Sequence, residues 1–193
     1  MEVFTSDILV VGAGAAGLRS AIEAKSRGFD VAILSKTSLG KGYCTSFSGA
    51  GFSAALGRVT KTEHLKNTLR IGKETNSKKL VKILTNEAPS RIRELKKFGV
   101  NIHISDGIGT CNRKLPGLGL EITLPLLSYT KKMGIKSYDH RMVIDLMKEG
   151  RVITDTIAYN SLNGEIEIFH SKATILALVE GEVYIEIVII QFT

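Results

Sequence analysis

The chain has 193 residues, 44% of them hydrophobic and 23% charged, with 19 Gly, 3 Pro and 2 Cys. That length allows one sizeable core, and the composition excludes general disorder, collagen-like repeats and a disulfide framework. Net charge is +7, and it is uneven: residues 58–97 hold twelve Lys/Arg against four Glu, so this window is +8 and the remainder −1. Such a window reads as a solvated helix face, a docking surface for an acidic partner, or a field that concentrates anions. It holds no aromatic residue and no zinc-finger spacing, so nucleic acid is not expected.

Residues 1–7, MEVFTSD, lack the basic start of a signal peptide, and no apolar run is long enough to span a membrane. A reducing, cytoplasmic setting is the expectation. Residues 6–11 are an apolar run that predicts a buried parallel strand. GAGAAG follows, then LRSAIEAKSRG, whose Leu18, Ala21, Ile22 and Ala24 form a helical stripe stopped at Gly28. Residues 30–35 predict a second strand, completing a βαβ unit in about thirty residues. The stretch 39–57 is rich in Gly, Ser and Ala and is expected to pack backbone closely rather than build core. Residues 77–97 predict an amphipathic helix burying Leu80, Ile83, Leu84, Ala88, Ile92 and Leu95, capped by Ser77 and kinked or split at Pro89. A further helix is expected over 121–133, with Leu124, Leu127 and Met133 in the core. Strands follow at 136–138, 142–147, 151–159, 165–170 and 173–178, with a hairpin at Asn163-Gly164.

The chemistry lies in Gly12-x-Gly14-x-x-Gly17, directly after a strand and opening a helix. Gly12 permits the tight turn, Gly14 a close approach of backbone to a pyrophosphate, and Gly17 close helix–strand packing. The helix N-terminus adds free N–H groups and a partial positive charge. An acid is expected after the second strand to bind a ribose hydroxyl, but Ser35-Lys36 stands there. The residues alone leave FAD and a phosphorylated nicotinamide cofactor both open. His64, His103, His140 and His170 have no metal spacing and read as surface or capped histidines. Cys44 and Cys111 read as inert thiols, Cys44 as a small buried one. No metal site is expected, and no acid–base residue is assigned.

DILVVGAGAAGLRSAIEA, VAILSK, GAGFSAALG and the run from Lys79 through Glu87-Ala88-Pro89-Ser90-Arg91-Ile92 to Gly99-Val100 resemble the flavoproteins of succinate dehydrogenase and fumarate reductase, L-aspartate oxidase and adenylylsulfate reductase. GLGLEITLPLLSYTKKMGI, MVIDLM, GRVITDTIAYN, NGEIEIF and KATILA continue the likeness to Ala177. The resemblance implies an α/β, Rossmann-like FAD-binding domain with a β-meander over 1–177, and FAD as cofactor. It implies that Gly12, Ala13, Gly14, Ala16 and Gly17 hold the pyrophosphate, and that Ser35, Lys36 and Thr37 face the adenosine. Thr45, Ser46, Gly49, Ala50 and Gly51 would line the flavin, and Val143 would meet adenine through its backbone. Family members with covalent flavin carry His where Cys44 stands, so a His link is not expected.

The family chemistry is hydride transfer between flavin and a dicarboxylate, with a partner subunit expected at the basic 58–97 surface. After Ala177 the family continues Thr-Gly-Gly, whereas this chain reads Leu178-Val179-Glu180 and a β-branched tail over 178–193. That departure predicts an incomplete domain lacking the capping domain, as a truncated gene or frame disruption would give. The alternative to an oxidoreductase is thus a catalytically inactive FAD-binding module.

Overall fold

Strand β1 (Glu2–Val11) begins four residues before the apolar run, because its first half pairs along its whole length with a distant strand. The computed structural model describes residues 2–41, 44–73, 75–111, 119–150, 152–178 and 188–191. Helix α1 (Ala15–Ser26) follows and buries Leu18, Ala21, Ile22 and Ala24, the predicted stripe. Strand β2 (Val31–Leu34) lies parallel to β1 with Ile8 opposite Val31, completing the βαβ unit. A short helical turn α2 (Cys44–Phe47) then leads into β3 (Gly51–Ser53), followed by α3 (Lys61–Ile71) and α4 (Lys78–Lys97). Next come β4 (Ile102–Ser105), β5 (Ile108–Cys111), α5 (Leu120–Lys132), β6 (Lys136–Tyr138), β7 (Arg141–Glu149), β8 (Val152–Asn160), β9 (Glu165–Leu176) and β10 (Val188–Gln191).

The main sheet has the order β6-β2-β1-β9-β8-β7, with β10 antiparallel to β9, and β3-β5-β4 form a small antiparallel sheet. The parallel half is β6-β2-β1-β9 and the meander is β7-β8-β9. The two runs expected at 165–170 and 173–178 are one strand. The first half of β9 pairs with β8 while nearly all of it pairs with β1, so the polar Ser171-Lys172 step does not end it. The hairpin is present, but the loop is 161–164, closed by Asn160 opposite Glu165, with Gly164 at φ 78°.

Side chains alternate along β1 and so feed two cores. Val10 joins Leu18, Ala21, Ile33, Ile92, Ile102, Leu126 and Ile135 under α1, α4 and α5. Leu9 and Val11 join Ala32, Leu34, Ala158 and Phe169 on the other face. Phe4 stacks on Phe169 with centroids 4.8 Å apart, and Tyr138 closes the cluster 4.9 Å from Phe4. Ala50, Ala54 and Leu56 enter the first core, so 39–57 does build core after all; its small side chains fit between α1 and the small sheet.

Helix α4 corrects two further expectations. It runs unbroken through Pro89, which is buried, because Val81, Thr85, Pro89 and Ile92 form the face pressed against the protein. Packing of that face outweighs the hydrogen bond that proline cannot donate. Consequently Leu80, Ile83 and Leu84 are exposed rather than in the core. In α5, Leu127 is buried but Leu124 is exposed and Met133 only half-buried. Helix α3 and the small sheet were not foreseen; Thr60 and Glu63 form a reciprocal cap at the start of α3. His64 on α3 is buried, not at the surface, and desolvation lowers its pKa below the ordinary histidine value.

One buried ion pair ties the meander together. Glu167 on β9 is 1% exposed; Arg141 on β7 donates to both its oxygens at 3.0 Å, and Asn160 Nδ2 on β8 donates at 2.7 Å. A carboxylate with three charge-assisted or polar donors tolerates burial, but a lone guanidinium there would not. Glu167→Ala should therefore lower stability by about 3–5 kcal/mol, read from urea denaturation midpoints. A loss below about 1 kcal/mol would mean that the pair is no better than an exposed one.

Candidate functional site

Three parallel strands end at one level: Val11 lies opposite both Leu34 and Leu176. The chain turns there at Gly12, whose φ is 108°, with its N–H donated to Leu34 O at 2.8 Å. A Cβ on Gly12 would sit 2.3 Å from Ala177 O, and one on Gly17 would sit 1.9 Å from Gly12 O. These two glycines are demanded by the protein's own packing. Gly14 is different: a Cβ there would meet only Thr45 Oγ1, at 3.5 Å, an ordinary contact. The opening over Gly14 is thus space that the fold does not fill. Gly14 is the N-cap of α1 without a side-chain cap, and the first turn carries no acid. Unpaired N–H groups and the positive end of the helix dipole are left facing that space. Ala13 is fully buried beneath the turn and Ala16 is exposed beside it.

The residues after β2 form a second group. Ser35 is buried; its hydroxyl donates to Thr37 O at 2.6 Å and accepts from Thr37 N at 3.2 Å, closing a small turn. Ser35 N donates to Tyr138 O, and Arg141 N donates to Ser35 O at 2.8 Å. The start of β7 is thereby clamped to the end of β2, which brings half-buried Val143 to the same edge as Ser35, Lys36 and Thr37. Lys36 is exposed. His140 sits in this clamp at φ 58°, with Nε2 3.0 Å from Ser38 Oγ and its carbonyl accepting from Ser161 N at 2.9 Å. No spacing signal in the sequence singled out His140 or Ser38; they meet only through the parallel pairing of β2 with β6.

The third group divides. Thr45 points to the glycine turn, where its Oγ1 accepts from Ala15 N at 3.3 Å. Ser46, one residue on, turns inward: it is buried, and its hydroxyl donates to Gly40 O at 3.2 Å beside Thr123. Gly119, the residue before α5, seats α2, since its N–H donates to Ser48 O and a Cβ there would collide with Thr45 O. Gly49 and Gly51 are exposed with open space around Gly49. Ala50 is buried at φ 47°, a conformation that favours glycine. Cys44 is exposed, not buried, whereas Cys111 is buried and desolvation raises its thiol pKa. Among the described residues, no group of three or more His, Cys, Asp or Glu could hold a metal ion.

The glycine geometry separates fold from ligand. Gly17→Ala should cost about 3 kcal/mol or more through backbone overlap. Gly14→Ala should stay within about 1 kcal/mol, both read by thermal and urea unfolding. Equal losses at the two positions would mean that Gly14, too, serves the fold.

Residues 7–182 match the family described as FAD binding domain. The chain is 28% identical to the flavoprotein-family member of the CoM/CoB fumarate reductase of Methanothermobacter marburgensis, covering 91% of this chain and 35% of that protein. It is 28% identical to L-aspartate oxidase of Streptomyces coelicolor, covering 89% and 33%. Among solved structures, Mycobacterium smegmatis Sdh1 in complex with UQ1 superposes with a TM-score of 0.78 at 27% identity, over 92% of this chain and 34% of that one. Escherichia coli quinol fumarate reductase FrdA superposes with a TM-score of 0.81 at 22% identity, a likeness of fold. The chain spans about a third of the length of these relatives. Of the two cofactors that Ser35-Lys36 left open, FAD is the one these relationships support. With its glycine turn, its parallel strand edge and a match over most of its length, the chain belongs to the FAD binding domain family.

Proposed function

We propose that the chain is the FAD-holding part of an oxidoreductase that moves a hydride between flavin and a dicarboxylate. The observation that carries the reading is the unfilled space over Gly14, at the N-terminus of a helix with no acid in its first turn. In this reading Gly12, Ala13, Gly14, Ala16 and Gly17 hold the pyrophosphate through backbone N–H groups. Ser35, Lys36, Thr37 and Val143 flank the adenosine, and Thr45, Gly49, Ala50 and Gly51 flank the flavin, with Ser46 supporting α2 from beneath. FAD, when bound, supplies the two-electron chemistry, and the protein supplies position and electrostatics.

The dicarboxylate is proposed from the names of the relatives, fumarate reductase and L-aspartate oxidase. A partner protein on the 58–97 surface fits the naming of two relatives as subunits. No helix among the described residues is long and apolar enough to cross a membrane. Both cysteines are free, in keeping with a reducing, cytoplasmic setting. We take 1–177 as the FAD domain and 178–193 as a divergent tail. Most of that tail lies outside the described residues, and Val188–Gln191 pair with β9.

None of the four histidines stands at the glycine turn. His64 is buried on α3, His103 is exposed on β4, His140 bonds Ser38, and His170 bonds Asp155. Hydride transfer needs a held substrate and a proton donor within reach. Purified chain titrated with FAD should therefore show saturable flavin spectral changes, abolished by Gly14→Val with the fold intact. FAD-loaded chain with fumarate and a reduced dye should turn over no faster than free flavin. Unchanged affinity in Gly14→Val places the cofactor elsewhere. Turnover lost in His103→Ala or His140→Ala reveals a catalytic site within these residues.

A further inference from the structure

The apolar stripe of α4 is divided by the fold. Ile92 is buried, and Ala88 and Leu95 pack against the core, yet Leu80, Ile83 and Leu84 remain 64%, 46% and 52% exposed. They open onto a groove of about 440 Å³ whose walls include Phe52 of β3 on one side and Ile83, Leu84, Ala88 and Leu95 of α4 on the other. The groove is apolar along its floor and basic along its rim. Lys78, Lys79 and Lys82 are exposed on the first turns of α4, which carry no acid. No ion pair among the described residues involves these three lysines. The acids at the far end are already taken: Glu87 by Arg91 at 2.9 Å, and Glu94 by Arg19 at 2.9 Å.

We propose that this groove receives an amphipathic helix of a partner protein, with apolar side chains against Phe52, Ile83 and Leu84 and carboxylates over the lysines. A concave apolar slot of this length matches the helix-in-groove mode, with anchors at intervals of three or four residues. The charge selects the partner. A second copy of this chain would bring the same +8 segment against itself, and like charges across an interface oppose association. A membrane surface would suit a protruding apolar ridge lying in the lipid plane, whereas here the apolar atoms line a recess between two elements. The groove is separate from the glycine turn, and docking there does not depend on FAD binding.

The test uses the purified chain and a synthetic helical peptide of about 20 residues, with Leu at three- and four-residue intervals and Glu on the flanks. Its scrambled version and its Lys-for-Glu version serve as controls. Fluorescence anisotropy should show saturable binding of the acidic peptide with a Kd below about 100 μM, weakening as salt is raised. The double variant Ile83→Ser/Leu84→Ser should raise that Kd at least about tenfold, with circular dichroism and thermal midpoint unchanged. If the double variant loses its fold, Leu80→Ser, at the more exposed end of the stripe, replaces it with the same expected direction. Equal binding of the scrambled or Lys-for-Glu peptide overturns the proposal. So does the absence of peptide binding. Sedimentation with phosphatidylserine–phosphatidylcholine vesicles in place of peptide binding assigns the face to membranes instead. A dimer that disperses in the double variant assigns it to self-association.

Discussion

The approach of the Gly12 backbone to the carbonyl of Ala177 sets the rest of the structure. It is possible only because position 12 has no Cβ; a methyl there would overlap the carbonyl. The approach aligns the ends of β1 and β9, and Ala177 N donates to Val11 O at 2.8 Å to lock them. With β2 paired on the other side of β1, three strand ends form a level edge, and α1 starts directly above it. A helix that starts on such an edge presents its unpaired N–H groups outward, where an anion can reach them. The second contact, Gly17 against Gly12 O, presses α1 onto that edge and fixes its direction.

Around this edge the protein uses backbone hydrogen bonds to gather residues that are far apart in sequence. Ser35 joins Tyr138 and Arg141, and Thr45 joins Ala15. Arg141 serves twice. Its amide holds the end of β2, while its guanidinium neutralises buried Glu167. The meander is therefore coupled to the cofactor edge through one residue, and the ion pair keeps β7, β8 and β9 in register beneath it. A buried pair of this kind is better at specifying an arrangement than at adding stability.

Helix α4 shows a similar division between two demands. Arg19 of α1 donates to Glu94 at 3.0 and 2.9 Å and lies 5.6 Å from the ring centroid of Phe98, which anchors the C-terminal half of α4 to the dinucleotide unit. The rotation that buries Val81, Thr85 and Pro89 leaves the other apolar stripe facing Phe52 across open space. Rigid attachment at one end and an apolar, basic recess along the helix are what a docking face requires.

By itself the sequence determined the βαβ unit, the glycine turn, the hairpin region and the cofactor class. Each of these is local: a period of side chains, a Gly needed for a backbone angle, or a turn between two strands. Spacing within a dozen residues carries that information. What only the tertiary structure decided are matters of partner. Local composition suggested a break at Ser171-Lys172, yet β1 and β8 pair across it and make β9 one strand. Pro89 suggested a break in α4, yet the face it shares with Val81, Thr85 and Ile92 is buried and the helix continues. Thr45 and Ser46 are neighbours of similar chemistry, and their roles part because one meets Ala15 and the other Gly40. Strands β3, β4 and β5 are three or four residues long, too short for a period to show, and exist through pairing with one another. A pattern states which side chains share a face; only packing selects which face is covered.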